Sequence, residues 1–138
     1  MTAIVELQSL LALQLSFVED PLRRKALESI LVIPREERRE WDYGILEERY
    51  PYWVVAEEPL RHIILVYCDQ GFGPRSPWGF LFTDDPDFNT LGMDSQWCWY
   101  LEEAFVRSGL WKGPVKPGYE EVFHTSPEKR LRGHGSAA

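Results

Sequence analysis

Residues 62–68 read His62-Ile63-Ile64-Leu65-Val66-Tyr67-Cys68. Both alternating sets are apolar, Ile63, Leu65 and Tyr67 on one side and Ile64, Val66 and Cys68 on the other, which is the pattern of a strand covered on both faces. A central strand needs partners on either edge, and the chain supplies them. Upstream, Tyr52–Glu58 (YWVVAEE) is β-rich and reaches the central run through the turn-like Glu58-Pro59-Leu60-Arg61, so the two read as a hairpin. Downstream, Trp78–Thr83 (WGFLFT) reads as a third strand, Thr90–Met93 as a short fourth and Gly118–His124 as a last edge strand.

Helical periods flank this sheet. From Thr2 to Val18, the residues Ile4, Leu7, Leu11, Leu15 and Val18 recur at helical spacing, and Leu10, Leu13 and Phe17 widen the stripe, so a largely buried helix is expected. Asp20-Pro21 supplies an N-cap and a first-turn proline for a second helix whose inner face is Leu22, Ala26, Leu27, Ile30 and Leu31. The two make a helical hairpin, ended by Pro34. Residues 34–51 read as a charged connection in which only Trp41, Tyr43, Ile45 and Leu46 seek burial. A later helix is expected over Ser95–Ser108, with Asp94 before it, Trp97, Leu101, Ala104 and Phe105 on one face, and Gly109 in the left-handed position that closes it. Residues 125–138 are small, polar and basic, and read as a mobile tail. The expected fold is therefore a single α+β domain over residues 1–124, with an N-terminal helical hairpin packed on a small, mainly antiparallel sheet of three to five strands and one later helix.

Composition narrows the function classes. The 138 residues, 44% hydrophobic and 14% aromatic, suffice for one core. No apolar run approaches the roughly 20 residues of a membrane span. The N-terminal segment has no Lys or Arg before its apolar run and carries Glu6 within it, which points to a cytoplasmic protein. The net charge is −7, and residues 69–108 concentrate it, with seven carboxylates against Arg75 and Arg107. That sign repels nucleic-acid backbones and attracts a basic protein partner.

The segment Tyr67–Phe82 (YCDQGFGPRSPWGFLF) invites a ligand reading. A dinucleotide fingerprint needs a third glycine and a following helix, whereas here Pro74 and Pro77 remove donors and a strand follows. A rigid turn suits the residues better, since proline restricts φ and leaves little freedom to lose on binding. Cys68 and His62 share a strand face but stand roughly 20 Å apart, too far for proton transfer. Asp85, Asp87 and Asn89 match the first positions of a calcium loop, yet Thr90 stands where its glycine belongs. His62, His124 and His134 show no metal-ligand spacing with Cys68 or Cys98, so neither metal nor cofactor is expected. Glu57-Glu58, Glu102-Glu103 and Glu120-Glu121 read as solvated faces.

What remains is aromatic density among acids. Trp97 and Trp99, two apart on the expected helix, cannot both face its core, so one of them, or Tyr100, is expected at the surface. The candidate docking residues are Phe72, Arg75, Trp78, Asp84, Asp87, Asp94, Trp97 and Trp99, with aromatic anchors supplying area and carboxylates supplying steering. The competing reading is a small-ligand binder or cysteine-dependent enzyme, with a pocket between the glycine-rich loop and the late helix and Cys68 or Asp94 as the reactive group. The pattern Y-C-x-x-G-F-G-P-x-x-P-W-G followed by G-M-D-x-x-W, within Asp42 to Trp111, resembles a group of small uncharacterised bacterial proteins, which implies a bacterial, single-domain, cytosolic protein and assigns no residue a catalytic role. In size, acidity and aromatic content the chain also looks like immunity or inhibitor proteins that neutralise a basic partner.

Overall fold

The computed structural model describes residues 3–41, 47–69, 76–84, 90–91 and 96–136. Helices α1 (Ile4–Ser16) and α2 (Pro21–Ile30) precede strands β1 (Leu31–Glu40), β2 (Arg49–Glu58), β3 (Ile63–Tyr67), β4 (Trp78–Phe82) and β5 (Trp97–Cys98), then helices α3 (Leu101–Arg107) and α4 (Pro127–Ser136). The sheet runs β1-β2-β3-β4-β5 with every neighbour antiparallel. This is the expected α+β architecture.

β3 is central and buried along its whole length. Its two apolar sets serve two layers. Leu65 and Tyr67 join α1, α2 and α3 in a core with Leu7, Leu27 and Phe105, while Ile64, Val66 and Cys68 pack on the far face with Tyr52, Leu81 and Trp97. The hairpin to β2 closes through a 3₁₀ turn, Pro59–Arg61, with Glu58 accepting from the Leu60 N–H and His62 in the left-handed region at φ 55°. α1 packs on α3, and α2 on β2. Asp20 accepts from the N–H groups of Leu22 and Arg23, and Pro21 opens α2.

Several expectations are corrected. α1 buries Leu7, Leu11 and Gln14 and leaves Ile4 and Val5 exposed, so it is one-sided rather than largely buried. Leu22 is exposed and Arg23 takes the inward place. Leu31 leaves α2 and, with residues 34–40 of the expected connection, belongs to the edge strand β1, whose Arg-Glu-Glu-Arg-Arg-Glu run suits an edge because charge there discourages stray pairing. Arg39 is buried, donating to the Tyr52 hydroxyl at 2.9 Å and to the Phe82 carbonyl at 3.1 Å. The late helix begins at Leu101, because Trp97–Cys98 extends the sheet beyond β4. Gly79 opposes Trp97, whose ring lies where a Cβ at 79 would sit, at 2.8 Å. Gly109 closes α3 at φ 83°, as expected. Residues 119–124 form a 3₁₀ helix instead of a strand, and of Thr90–Met93 the described Thr90 makes a single parallel bridge to Glu40. The terminal segment carries the helix α4.

Candidate functional site: two clefts beside the C-terminal helix

A groove of about 570 Å³ opens at the end of β3 and β4. Its floor is Tyr67 and Trp78, whose ring centroids stand 4.8 Å apart, and its walls are Leu10 and Leu13 of α1, Trp99, and the start of α4. Asp69, Glu128 and Lys129 place charge around this lining, and Gln14, His124 and Ser126 add polar groups. The position follows from the local sequence: Tyr67 and Asp69 leave β3, Pro77-Trp78 enters β4, and Trp99 sits between β5 and α3.

The candidate docking residues separate here. Trp78 and Trp97 are interior rings, exposed by 2% and 5%, and Tyr100 is fully covered. Trp99 alone of the described candidate rings is half-buried, and it borders the groove. Of Trp97, Trp99 and Tyr100, Trp99 is thus the ring that reaches the surface, but through a strand and not a helical wheel, since residues 97 and 98 are extended and alternate between the two core layers. Asp84 is exposed just beyond β4, away from the groove lining. Phe72, Arg75, Asp87 and Asp94 lie outside the described residues, as do Asp85 and Asn89 of the calcium-like turn. Cys68 faces the opposite layer, buried, with its thiol donating to the Pro51 carbonyl at 3.4 Å. Burial, with Glu103 nearby, pushes the Cys98 thiol up to about 12. Among the described residues, no three His, Cys, Asp or Glu side chains gather as a metal site.

A second cleft, of about 540 Å³, lies on the other side of α4's first turns and is lined by Phe17, Arg23, Glu102, Tyr119 and Arg130. Arg23 donates to Glu102 Oε2 at 3.0 Å and to the Pro114 carbonyl at 3.2 Å, and its guanidinium lies over Tyr119 at 4.5 Å and Trp111 at 5.4 Å. Tyr119 donates to the same Glu102 oxygen at 2.9 Å. Burial and then the Glu102 charge push the Tyr119 hydroxyl well up. Glu102, read from sequence as a solvated carboxylate, is therefore a buried one, 3% exposed. Arg130 lines the cleft from α4, its guanidinium over Phe17 and Tyr100.

Sequence reasoning passed over Arg23 and Arg130 and took Glu102 for a solvated carboxylate. The available signal was Arg23 itself, which stands one turn before Leu27 on the face of α2 that is buried. No protein-family model matches the chain, and no curated protein or solved structure does either. Among the described residues, no helix is long and apolar enough to cross a membrane.

Proposed function

We propose that this protein is an acidic, non-catalytic docking module for a basic polypeptide partner, in the manner of an immunity or inhibitor protein acting in the cytoplasm. The observation that carries the reading is the groove beside Trp99, floored by Tyr67 and Trp78 and lined by the carboxylates Asp69 and Glu128 against Lys129, in a chain of net charge −7. A half-buried tryptophan beside carboxylates suits Lys and Arg side chains, which pack their stems on apolar surface and place their charge near acid. Cys68 and Cys98 do not line the groove, and both are buried, which favours docking over thiol chemistry. The groove also falls within the roughly 300–1,000 Å³ typical of small-molecule sites, the feature that supports a ligand-binding reading.

The test is affinity isolation from the native host followed by reconstitution with the purified partner. The docking reading expects a basic partner whose affinity falls about tenfold or more in Trp99→Ala, and in Asp69→Asn/Glu128→Gln, and weakens with added salt. An acidic partner, or binding indifferent to both variants and to salt, contradicts it.

A further inference from the structure

We infer that Phe17, Glu19 and Tyr100 form a receptor for a guanidinium group, filled in cis by Arg130, and that an arginine of a basic polypeptide is its second occupant. Its nature as a partner site rests on the docking reading above; the receptor itself does not.

The receptor is built from four elements. The Arg130 guanidinium carbon stands 4.7 Å from the Phe17 ring centroid and 5.7 Å from that of Tyr100. Its Nη2 donates to the Phe17 carbonyl at 3.3 Å and lies 3.5 Å from a Glu19 carboxylate oxygen. Aromatic faces with a carbonyl and a carboxylate at their edge suit a flat, multi-donor cation better than a compact ammonium.

Receptor and occupant differ in how firmly they are held. Phe17 and Tyr100 meet edge to face with centroids 5.5 Å apart, and Phe123 backs Tyr100 at 5.3 Å, all three buried. Arg130, by contrast, leaves its Nη1 buried with no hydrogen-bond partner, an arrangement that costs free energy. Its acidic partner Glu19 has a side chain 87% exposed, where an ion pair contributes little. A preformed site with an imperfectly satisfied internal ligand is open to competition. The competition has a structural consequence, because the segment that delivers Arg130 also supplies Pro127, Glu128 and Leu131 to the groove. When Arg130 leaves the receptor, that wall of the groove is released, with the Tyr100 hydroxyl bonded to the Thr125 carbonyl at 2.6 Å marking where the segment stays attached.

The experiment uses the full-length chain and a synthetic peptide of residues 125–138 as probe. Arg130→Ala empties the receptor, and Arg130→Gln is the second variant; thermal melts establish that each is folded. Either variant is expected to bind the peptide saturably and at least about tenfold more tightly than the wild type, whose own arginine competes at an effective concentration on the order of mM. A peptide with citrulline at position 130, and the double variant Arg130→Ala/Glu19→Gln, should each lose most of that binding. Equal binding by wild type and variants, or equal binding of the citrulline peptide, overturns the inference. Peptide capture without any basic partner in the host sinks the docking reading alone. A native partner that binds wild type and Arg130→Ala equally sinks the receptor alone.

Discussion

Arg23 and Arg130 line the same cleft and each stacks on two aromatic rings, yet they do opposite work. Arg23 is 5% exposed, pairs with a carboxylate that is itself buried, and ties α2 to α3 and to the 111–119 segment through Glu102, Pro114 and Tyr119. Arg130 pairs with an exposed carboxylate and ties only α4 to the body. The difference lies in the partner rather than in the arginine. A buried carboxylate cannot be abandoned without a large penalty, whereas an exposed one returns to water at little cost. One site therefore holds the fold and the other is suited to exchange.

The largest effect is expected at Arg23. Arg23→Ala leaves Glu102 as an uncompensated buried charge and should lower stability by about 3–5 kcal/mol in urea titrations. A loss below about 1 kcal/mol would erase the contrast.

A smaller effect is expected one step away, at Gln14. Tyr100, the residue before α3, gives no side-chain cap, and Gln14 of α1 supplies one across the core by accepting from the Leu101 N–H at 2.9 Å. Gln14→Ala should cost about 1–2 kcal/mol, as loss of a helix cap does. Hydrogen exchange should show the loss concentrated in α3.

Alkaline pH sharpens the comparison further. Tyr119 stays protonated in the folded chain beyond the ordinary tyrosine range, because ionising it means placing a second charge in a desolvated site beside Glu102. In the unfolded chain it ionises near pH 10. Its contribution to stability is therefore intact below about pH 10 and declines as pH rises above that. Tyr52, pushed up to about 12 chiefly by burial, acts in the same direction. Tyr119→Phe should reduce the alkaline loss by the Tyr119 share while Tyr52 retains its own, read as a shallower fall in denaturation midpoint above pH 10.

The smallest stability effect is expected at Arg130. Arg130→Ala should change global stability by about 1 kcal/mol or less. It should nevertheless increase quenching of tryptophan fluorescence by acrylamide, since Trp99 lines the groove that α4 helps to wall.

The same contrast explains what could be read from the amino-acid order. Features whose cause is local were legible: the two-sided apolar run of β3, the hairpin through Pro59–Arg61, the Asp20-Pro21 start of α2 and the left-handed Gly109. Features caused by distant partners were not. Arg23 and Glu102 are 79 positions apart, and Gln14 and Leu101 are 87 apart, so beyond the place of Arg23 on the inner face of α2 neither the buried pair nor the cap leaves a mark that names its partner. β1 was missed because an edge strand tolerates a charged run that resembles a loop. Trp97-Cys98 was absorbed into a helical period because two residues of strand are too short to show a period of their own. Of the site, Trp78 and Trp99 were among the residues singled out and both line the groove, while the part played by α4 was hidden by a composition that reads as a tail.

Native-state hydrogen exchange compares the two arginine sites in a single experiment. The amides of α4 up to Leu131 should exchange through a local opening at least a hundredfold more readily than those of α3, and Arg130→Ala should accelerate the former while leaving the latter unchanged. If both helices exchange at the same rate, through one global unfolding, the C-terminal arginine is part of the fixed core and cannot yield its place to another.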